Sequence, residues 1–307
     1  MVTPSNLKPG DHVGILSTAR AIDSDKIYNA IQLLKSWELI PVIGKTIDLQ
    51  SNQYAGDDTA RTQDFQHMLD TPEIKAIWCA RGGYGTVRIL DSLNLEKFKA
   101  NPKWLIGYSD VTALHCMFHN NEIESLHATM PIDLAGLKYS MGSSDLAMQA
   151  FKKALFGGQI THEVKAHANN RVGTAKGQIV GGNLSILYSL CGSNTAIDTA
   201  GKILFIEDLD EYLYHIDRMI QNIKRNGMLD NLAGLLVGGM TKMHDNTIPF
   251  GKNPTQIILD AIKDCDYPVS FDFPTGHIHD NRPLIVGRTA TLNVTPRSVT
   301  LTHELSQ

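Results

Sequence analysis

The clearest chemical signal in the chain is Ser109, in the segment WLIGYSDVTALH. It follows an apolar stretch that predicts a strand and precedes a predicted helix whose apolar residues Val111, Leu114 and Phe118 share one face. A serine at such a turn exposes its hydroxyl, and the amide of Asp110 lies at a helix start, where negative charge is stabilised. The spacing favours a nucleophile, although the match to G-x-S-x-G is partial because position 111 is valine. Alternatively, the serine or the aspartate only caps the helix.

A glycine-rich loop, CARGGYG, follows another predicted strand at residues 76–80. Gly82, Gly83 and Gly85 permit a tight turn and a close backbone approach, so amides here could point at a phosphate or a developing oxyanion. The loop contains neither G-K-[ST] nor G-x-G-x-x-G, which argues against nucleotide-binding loops of those two types. Ordinary turn glycines are the alternative.

The segment KILFIEDLDEYLYHIDR ends an apolar strand in a group of carboxylates: Glu207, Asp208, Asp210 and Glu211. A carboxylate at this position could orient a histidine. Acidic residues at a strand end are also common as solvated turn residues or helix-start charges.

The segment FPTGHIHDN supplies His277 and His279, either of which could act as a general base. Together with Asp280 the pair also forms a weak metal-binding signature. Ser109, Glu207 and His277 each follow an apolar strand, and their residue types match a nucleophile, an orienting carboxylate and a base. Their order in the chain does not by itself show that they meet.

The elements that must position these residues alternate between strands and helices in the first half of the chain. Apolar runs predict strands at residues 12–18, 39–44, 76–80 and 104–108, and helical periodicity predicts helices at 24–37, 59–69, 86–93 and 110–119. Such alternation is typical of βαβ units and a parallel sheet. We therefore expect an α/β fold with a doubly wound parallel sheet in the N-terminal domain.

The polar stretch THEVKAHANNRVGTAKG, near residues 160–175, predicts a linker. It divides the chain into two domains, residues 1–165 with the nucleophile and residues 166–307 with the glutamate and the histidine. The second domain mixes helices with strands, and the alternating pattern of residues 284–302 predicts antiparallel pairing. We expect a mixed, β-rich C-terminal domain.

Composition excludes several classes of protein. The 307 residues are 42% hydrophobic and 20% charged, which is typical of a folded globular chain. Lys and Arg total 28 against 32 Asp and Glu, so nucleic acid is not the expected partner. The four cysteines form no C-x-x-C pair, which fits reduced thiols. No signal-peptide pattern and no apolar run of about 18 residues is present, which predicts no membrane partner and a cytoplasmic location.

Together these motifs resemble the LD-carboxypeptidase family of serine peptidases, with the microcin C immunity proteins as a sister branch. The resemblance covers nearly the full chain and rests on several segments in order: LKPGDHVGILS, YAGDDTARTQDFQHML, IKAIWCARGGYGTVRIL, LIGYSDVTALH, GQIVGGNLSIL, ILFIEDLDEYLYHIDRMI and FPTGHIHDN. It implies a flavodoxin-like N-terminal domain, a mixed β-rich C-terminal domain and a homodimer.

The resemblance also implies roles for single residues. The nucleophile falls on Ser109, the triad glutamate on Glu207 and the histidine on His277. The oxyanion hole is formed by the backbone amides of Gly83 and Asp110. No cofactor and no metal ion are expected. The remaining residues of the acidic group and His279 are expected to be structural.

Two segments depart from the family pattern. Residues 17–20 read STAR where the family often has A-P-S, and residues 127–129 read HAT where it often has H-G-P. These departures concern the substrate more than the chemistry. Arg81, beside the glycine loop, could pair with a terminal carboxylate or serve as a structural hydrogen-bond donor, so the sequence assigns it no role.

The expected function is a serine carboxypeptidase that releases terminal D-alanine from murein tetrapeptides in peptidoglycan recycling. One alternative is an immunity-type hydrolase that cleaves the amide of peptidyl or aminoacyl nucleotides. The other is a ligand-binding protein whose triad is silent, since a fold does not fix a function.

Overall fold

The computed structural model describes residues 1–136 and 142–305. The strands are β1 (His12–Leu16), β2 (Ile40–Ile43), β3 (Ile74–Cys79), β4 (Trp104–Gly107), β5 (Ser125–His127), β6 (Thr161–Lys165), β7 (Gly173–Asn183), β8 (Ile203–Leu209), β9 (Gly234–Thr241), β10 (Val269–Ser270), β11 (Leu284–Val286), β12 (Thr289–Val294) and β13 (Ser298–His303). The α-helices are α1 (Tyr28–Ser36), α2 (Asp58–Asp70), α3 (Glu96–Ala100), α4 (Thr112–Asn120), α5 (Asp145–Leu155), α6 (Leu184–Leu190), α7 (Leu213–Arg225) and α8 (Pro254–Ala261). Short 3₁₀ segments lie at Ser24–Ile27, Thr86–Ser92, Ser109–Val111 and Pro131–Ala135.

The first sheet has the strand order β2-β1-β3-β4-β5-β11. The first five of these strands are parallel, and β11 pairs antiparallel with β5. Strands β3 and β4 are buried almost throughout, which explains why they read as continuous apolar runs. The order 2-1-3-4-5 is that of the flavodoxin-like doubly wound fold, so this prediction is confirmed.

The second sheet has seven strands in the order β10-β9-β8-β7-β12-β13-β6. The four strands from β10 to β7 are parallel, and the remaining pairings are antiparallel. Strand β7 joins the two parts, because residues 173–178 pair with β12 and residues 179–183 pair with β8. The mixed, β-rich prediction for this part of the chain is also confirmed.

The stretch predicted as a linker contains strand β6. Its burial alternates, with His162 buried between the exposed residues Thr161 and Glu163. The stretch reads as polar in composition because the exposed residues of β6 are polar, so the alternation was not recognised as a strand. Sheet membership also crosses the predicted boundary near residue 165, since β6 belongs to the second sheet and β11 to the first. The division into residues 1–165 and 166–307 stays a prediction.

The predicted helix at residues 86–93 is a 3₁₀ segment rather than an α-helix. It begins at Gly85, whose φ of 139° favours glycine, and its Thr86 amide is held by a side chain of the next strand-to-helix turn. The backbone of Gly85 and the hydrogen bond to Asp110 together fix where the segment starts. Neither constraint can be recognised from the spacing of apolar residues within the segment.

A buried ion pair joins the two sheets. Arg288, just before β12, donates from Nη2 to Glu124 Oε2 at 2.5 Å and from Nε to Oε1 at 3.1 Å. Only 9% of Arg288 and 4% of Glu124 is exposed, and Glu124 directly precedes β5 of the first sheet. Arg288 lies on the short connection from β11 of the first sheet to β12 of the second, so the pair anchors this connection beside the start of β5.

Candidate active site

Ser109 lies on the turn between β4 and α4, with a φ of 63° that serine rarely adopts. Neither the 3₁₀ segment at this turn nor α4 has a side-chain cap, so the serine does not serve as a helix cap. Its hydroxyl instead lies 3.0 Å from Nε2 of His277. A strained turn that presents a serine hydroxyl is the geometry of a nucleophile elbow.

His277 contacts both of the other predicted site residues. Its Nδ1 lies 2.7 Å from Oε2 of Glu207, and its backbone amide donates to the same oxygen at 3.0 Å. Glu207 is fully buried on β8. The structure therefore brings Ser109, His277 and Glu207 into one hydrogen-bonded group, here called the triplet, although they come from two different sheets.

The electrostatics of the triplet favour a charged carboxylate beside the imidazole. Burial by itself raises the pKa of Glu207, but the charge and hydrogen bonds of His277 outweigh it, and the net pKa is lowered. Burial likewise opposes protonation of His277, yet the Glu207 carboxylate raises the net pKa of the imidazole above its ordinary value. An ionised Glu207 requires the proton on Nδ1, which leaves Nε2 free to accept the hydroxyl proton of Ser109.

Tyr108 packs against the ring of His277, and His127 packs against Tyr108 in turn, with ring centroids 5.8 Å apart. The Tyr108 ring meets the His277 ring edge-on, with centroids 4.9 Å apart, and its hydroxyl donates to Oδ1 of Asp133 at 3.1 Å. His127 is fully buried, with its ring centroid 4.9 Å from that of Phe205, and burial lowers its pKa to about 3. His127 is therefore neutral and adds no charge beside the triplet.

The glycine loop packs directly on the serine. A Cβ on Gly82 would come within 2.9 Å of the Ser109 Cβ and 3.1 Å of its Oγ, so only glycine fits. Asp110 accepts a hydrogen bond from the Thr86 amide at 2.8 Å, which ties this loop to the serine turn. Gly83 and Asp110 both line the cleft beside the serine. Their predicted role as oxyanion donors is compatible with this placement and stays a prediction.

Arg61 fixes the loop from behind. Its guanidinium is fully buried and donates to the carbonyl oxygens of Thr18 at 2.6 Å and Gly85 at 2.8 Å. Arg61 thereby connects the loop that follows β1 to the loop that follows β3, at the carboxyl ends of these parallel strands.

The other carboxylates of the acidic segment have different partners. Asp208 accepts from Nδ2 of Asn183 at 2.9 Å and from the Ser185 amide at 3.0 Å, and burial with the charge of Glu207 raises its pKa to about 7. Asp210 pairs with His244 and Glu211 with His215, at 2.5 and 2.6 Å. The carboxylate that contacts His277 in this segment is Glu207.

Ser109 and His277 line a cleft of about 690 Å³ at the carboxyl ends of the parallel strands, where α/β folds bind ligands. Its wall is formed by Arg20, Arg81, Gly82, Gly83, Tyr108, Ser109, Asp110, Met130, Ile132, Asp133, Asn183, Ser185, Ile186, Asp208, Leu209, Asp210, Glu211, Lys242 and His277. In the sequence, Arg20 stands out only as the last residue of STAR, the segment at 17–20 that departs from the family pattern. Asn183 was not among the predicted site residues. The signal for Asn183 was the GGN turn at the end of β7.

The metal alternative finds no support in the described parts of the chain. Within residues 1–136 and 142–305, no group of three or more His, Cys, Asp or Glu side chains could hold a metal ion. His279 is exposed, and Asp280 is engaged with Arg282 and Ser144.

A doubly wound sheet that presents a serine on a strained turn, facing a histidine and a buried glutamate, is the arrangement of a serine hydrolase. Sequence comparison agrees: the LD-carboxypeptidase N-terminal domain model matches residues 13–128, and the C-terminal domain model matches residues 176–292. The chain is 33% identical over 316 residues to the Bacillus subtilis protein named "Probable murein peptide carboxypeptidase", with 99% of this chain and 95% of the relative covered. The chain belongs to the LD-carboxypeptidase family.

Solved structures share the fold. The muramoyltetrapeptide carboxypeptidase from Oxalobacter formigenes has a TM-score of 0.86 at 22% identity, with 96% of this chain and 100% of that chain covered. The microcin C7 self-immunity protein MccF in complex with aspartyl sulfamoyl adenosine has a TM-score of 0.86 at 21% identity and covers 100% of both chains. The family resemblance drawn from the motifs is confirmed.

None of the helices in the described residues has the length and apolar character to cross a membrane.

Proposed function

We propose that this protein is a serine-type LD-carboxypeptidase that releases terminal D-alanine from murein tetrapeptides. The observation that carries the proposal is the triplet, in which Nε2 of His277 lies 3.0 Å from the Ser109 hydroxyl and Nδ1 lies 2.7 Å from Glu207. The murein peptide carboxypeptidase name of the Bacillus subtilis relative supports the substrate class.

Catalysis begins when the Ser109 oxygen attacks the carbonyl carbon before the terminal residue and its proton passes to Nε2 of His277. Glu207 stabilises the imidazolium, and the amides of Gly83 and Asp110 hold the oxyanion. The C–N bond then breaks, and the imidazolium gives its proton to the leaving nitrogen, which releases D-alanine. Water attacks the acyl-enzyme by the reverse proton path and regenerates the serine.

Hydrolysis of aminoacyl nucleotides is the second candidate, because MccF is solved with aspartyl sulfamoyl adenosine. A nucleobase would need an exposed aromatic ring to stack on. The described wall of the cleft offers Tyr108, which is 5% exposed and packed against His277. Because the described lining residues offer no exposed aromatic ring, and the exposed Tyr84 beside Gly83 lies outside them, we favour the peptide substrate.

Mass spectrometry of three parallel reactions tests the proposal. We expect release of one D-alanine from a tetrapeptide that ends in an L-centre joined to D-alanine. The D,D bond of the pentapeptide and an all-L peptide should remain largely uncut, because the stereocentres on either side of the scissile bond present different shapes to the cleft. Equal cleavage of the all-L peptide would contradict the LD assignment. Cleavage of aspartyl sulfamoyl adenosine with an intact tetrapeptide would favour the second candidate.

We also propose a cytoplasmic location and a homodimer. The four cysteines are free thiols, two of them buried, which fits a reducing compartment. The homodimer rests on the family resemblance, and the mass of the purified protein by light scattering tests it.

A further inference from the structure

Two arginines lie side by side on the wall of the cleft that carries the glycine loop. The side chain of Arg20 crosses directly over Gly83, since a Cβ on that glycine would come within 2.6 Å of the arginine Cδ and 3.0 Å of its Nε. Arg20 is exposed, and its guanidinium has no hydrogen bond or ion pair to any residue within 1–136 and 142–305. A free guanidinium therefore stands beside Ser109 on the same cleft wall.

Arg81 increases the positive charge at this point. It is half-buried and donates from Nη1 to the Ala21 carbonyl at 3.1 Å. Burial lowers its pKa, and the nearby charge of Arg20 lowers it further, which Asp23 opposes. Two like charges in one wall destabilise each other, and an anion placed between them would relieve that repulsion.

Four other arginines of the chain are arranged differently from Arg20. Arg61, Arg88, Arg282 and Arg288 each pair with a carboxylate of the protein. Arg20 is thus held open to the cleft while these four guanidinium groups have an internal carboxylate partner.

We propose that Arg20, assisted by Arg81, binds the free carboxylate of the residue that leaves. Arginine presents planar donors that match a carboxylate. Asp208, Asp210 and Glu211 also line the cleft and would repel an anion, whereas the exposed guanidinium of Arg20 would attract one. Arg20 lies over Gly83, and the neighbouring Gly82 packs on Ser109, so the guanidinium lies close to the nucleophile.

The proposal deepens the proposed function and rests on it, so the test uses two peptides. A murein tetrapeptide and its C-terminal amide are compared as substrates of the wild type and of Arg20→Gln, Arg20→Lys and Arg297→Gln. Arg297 is exposed in the turn between β12 and β13, away from the cleft, and its substitution removes the same charge as a matched control.

For the acid, we expect Arg20→Gln to lower kcat/KM by about tenfold to a hundredfold, mainly through KM, as loss of a charged hydrogen bond does. Arg20→Lys should recover part of the loss, and Arg297→Gln should match the wild type. For the amide, Arg20→Gln should change little. Equal losses for acid and amide, or no loss for the acid, would overturn the proposal.

Calorimetric titration with both peptides, carried out in a Ser109→Ala background so that no peptide is cleaved, separates the two hypotheses when it is compared with cleavage by the parent proteins. A wild type that binds the acid better than the amide but cleaves neither contradicts the proposed function and supports the carboxylate subsite. Suppose that the wild type cleaves the tetrapeptide, but Arg20→Gln leaves the ratio of the affinities for acid and amide unchanged. This result contradicts the carboxylate subsite alone. Failure to bind or cleave either peptide contradicts both.

Discussion

Glu207 and His277 define how the rate of the reaction should depend on pH. In the proposed mechanism the neutral imidazole of His277 accepts the serine proton, so the rate should rise with pH through the pKa of His277. The Glu207 carboxylate raises this pKa above its ordinary value, whereas burial lowers it. The rising limb of the pH–rate profile should therefore have its midpoint above pH 6.5, the ordinary pKa of histidine.

Glu207→Gln tests this account, because it removes the charge and leaves the burial. The pH limb of the residual activity should move to lower pH, and kcat should fall by at least about tenfold and up to about 10⁴-fold. Profiles of kcat/KM and kcat on both proteins measure the two effects. A smaller loss with an unmoved limb would mean that another carboxylate, such as Asp208, holds the histidine.

Ser109→Ala should abolish turnover and leave the fold intact. The hydroxyl contacts His277 and caps no helix, so its removal should change the free energy of unfolding by less than about 1 kcal/mol. Urea unfolding and D-alanine release are the measurements. Ser189→Ala, on the exposed side of α6, serves as the control and should retain full activity. A folded Ser109→Ala protein with undiminished activity would remove the serine mechanism.

The turns at the strand ends position the triplet as much as its side chains do. Gly276 directly precedes His277, with a φ of 94°, and a Cβ there would meet Glu207 Cγ at 2.5 Å. Gly192 has a similar φ of 82°, and no atom lies within 4 Å of its Cβ position. An alanine at either position strains the backbone, but only an alanine at Gly276 also collides with Glu207. Comparing the two variants therefore separates these effects.

Gly276→Ala should lose activity by more than about tenfold, since it displaces the carboxylate that holds His277. Gly192→Ala should remain fully active. Both variants should lose about 1–2 kcal/mol of stability from the left-handed backbone alone, with any further loss at Gly276 arising from the collision. Kinetics and urea unfolding of the two proteins check this. Equal activity in both would show that the turn does not position the triplet.

The two sheets must keep one relative position, because Ser109 comes from the first and Glu207 from the second. The buried pair of Glu124 and Arg288 anchors the connection from β11 of the first sheet to β12 of the second. Glu124→Gln leaves a buried arginine without its counter-charge, which should lower the free energy of unfolding by about 3–5 kcal/mol. Denaturant unfolding measures the loss.

An exposed pair provides the comparison. Lys97→Gln breaks the contact between Lys97 and Asp70 and should cost less than about 1 kcal/mol. Adding Arg288→Met to Glu124→Gln should recover part of the loss, because it removes the unpaired charge. Losses of the same small size for the buried and exposed pairs would show that the buried pair does not hold the sheets together.

Much of this architecture could be predicted from the sequence for a physical reason. Buried parallel strands such as β3 and β4 read as apolar runs, and chemistry-bearing residues follow directly after such runs. Strand β6 could not be predicted, because its exposed face is polar and its pairing with β13 is distant in sequence. The cleft position of Arg20 was equally hidden, since it depends on contact with Gly83 from another loop.

Covalent trapping of the nucleophile shows whether Ser109 is the reactive serine. The intact mass of the purified protein is measured after incubation with an active-serine phosphonate, and the adduct is located by peptide mapping. The account predicts one adduct per chain, on Ser109, formed faster as His277 becomes neutral and absent from Ser109→Ala. An unmodified wild-type protein that still releases D-alanine, or an adduct on a different residue, would contradict it.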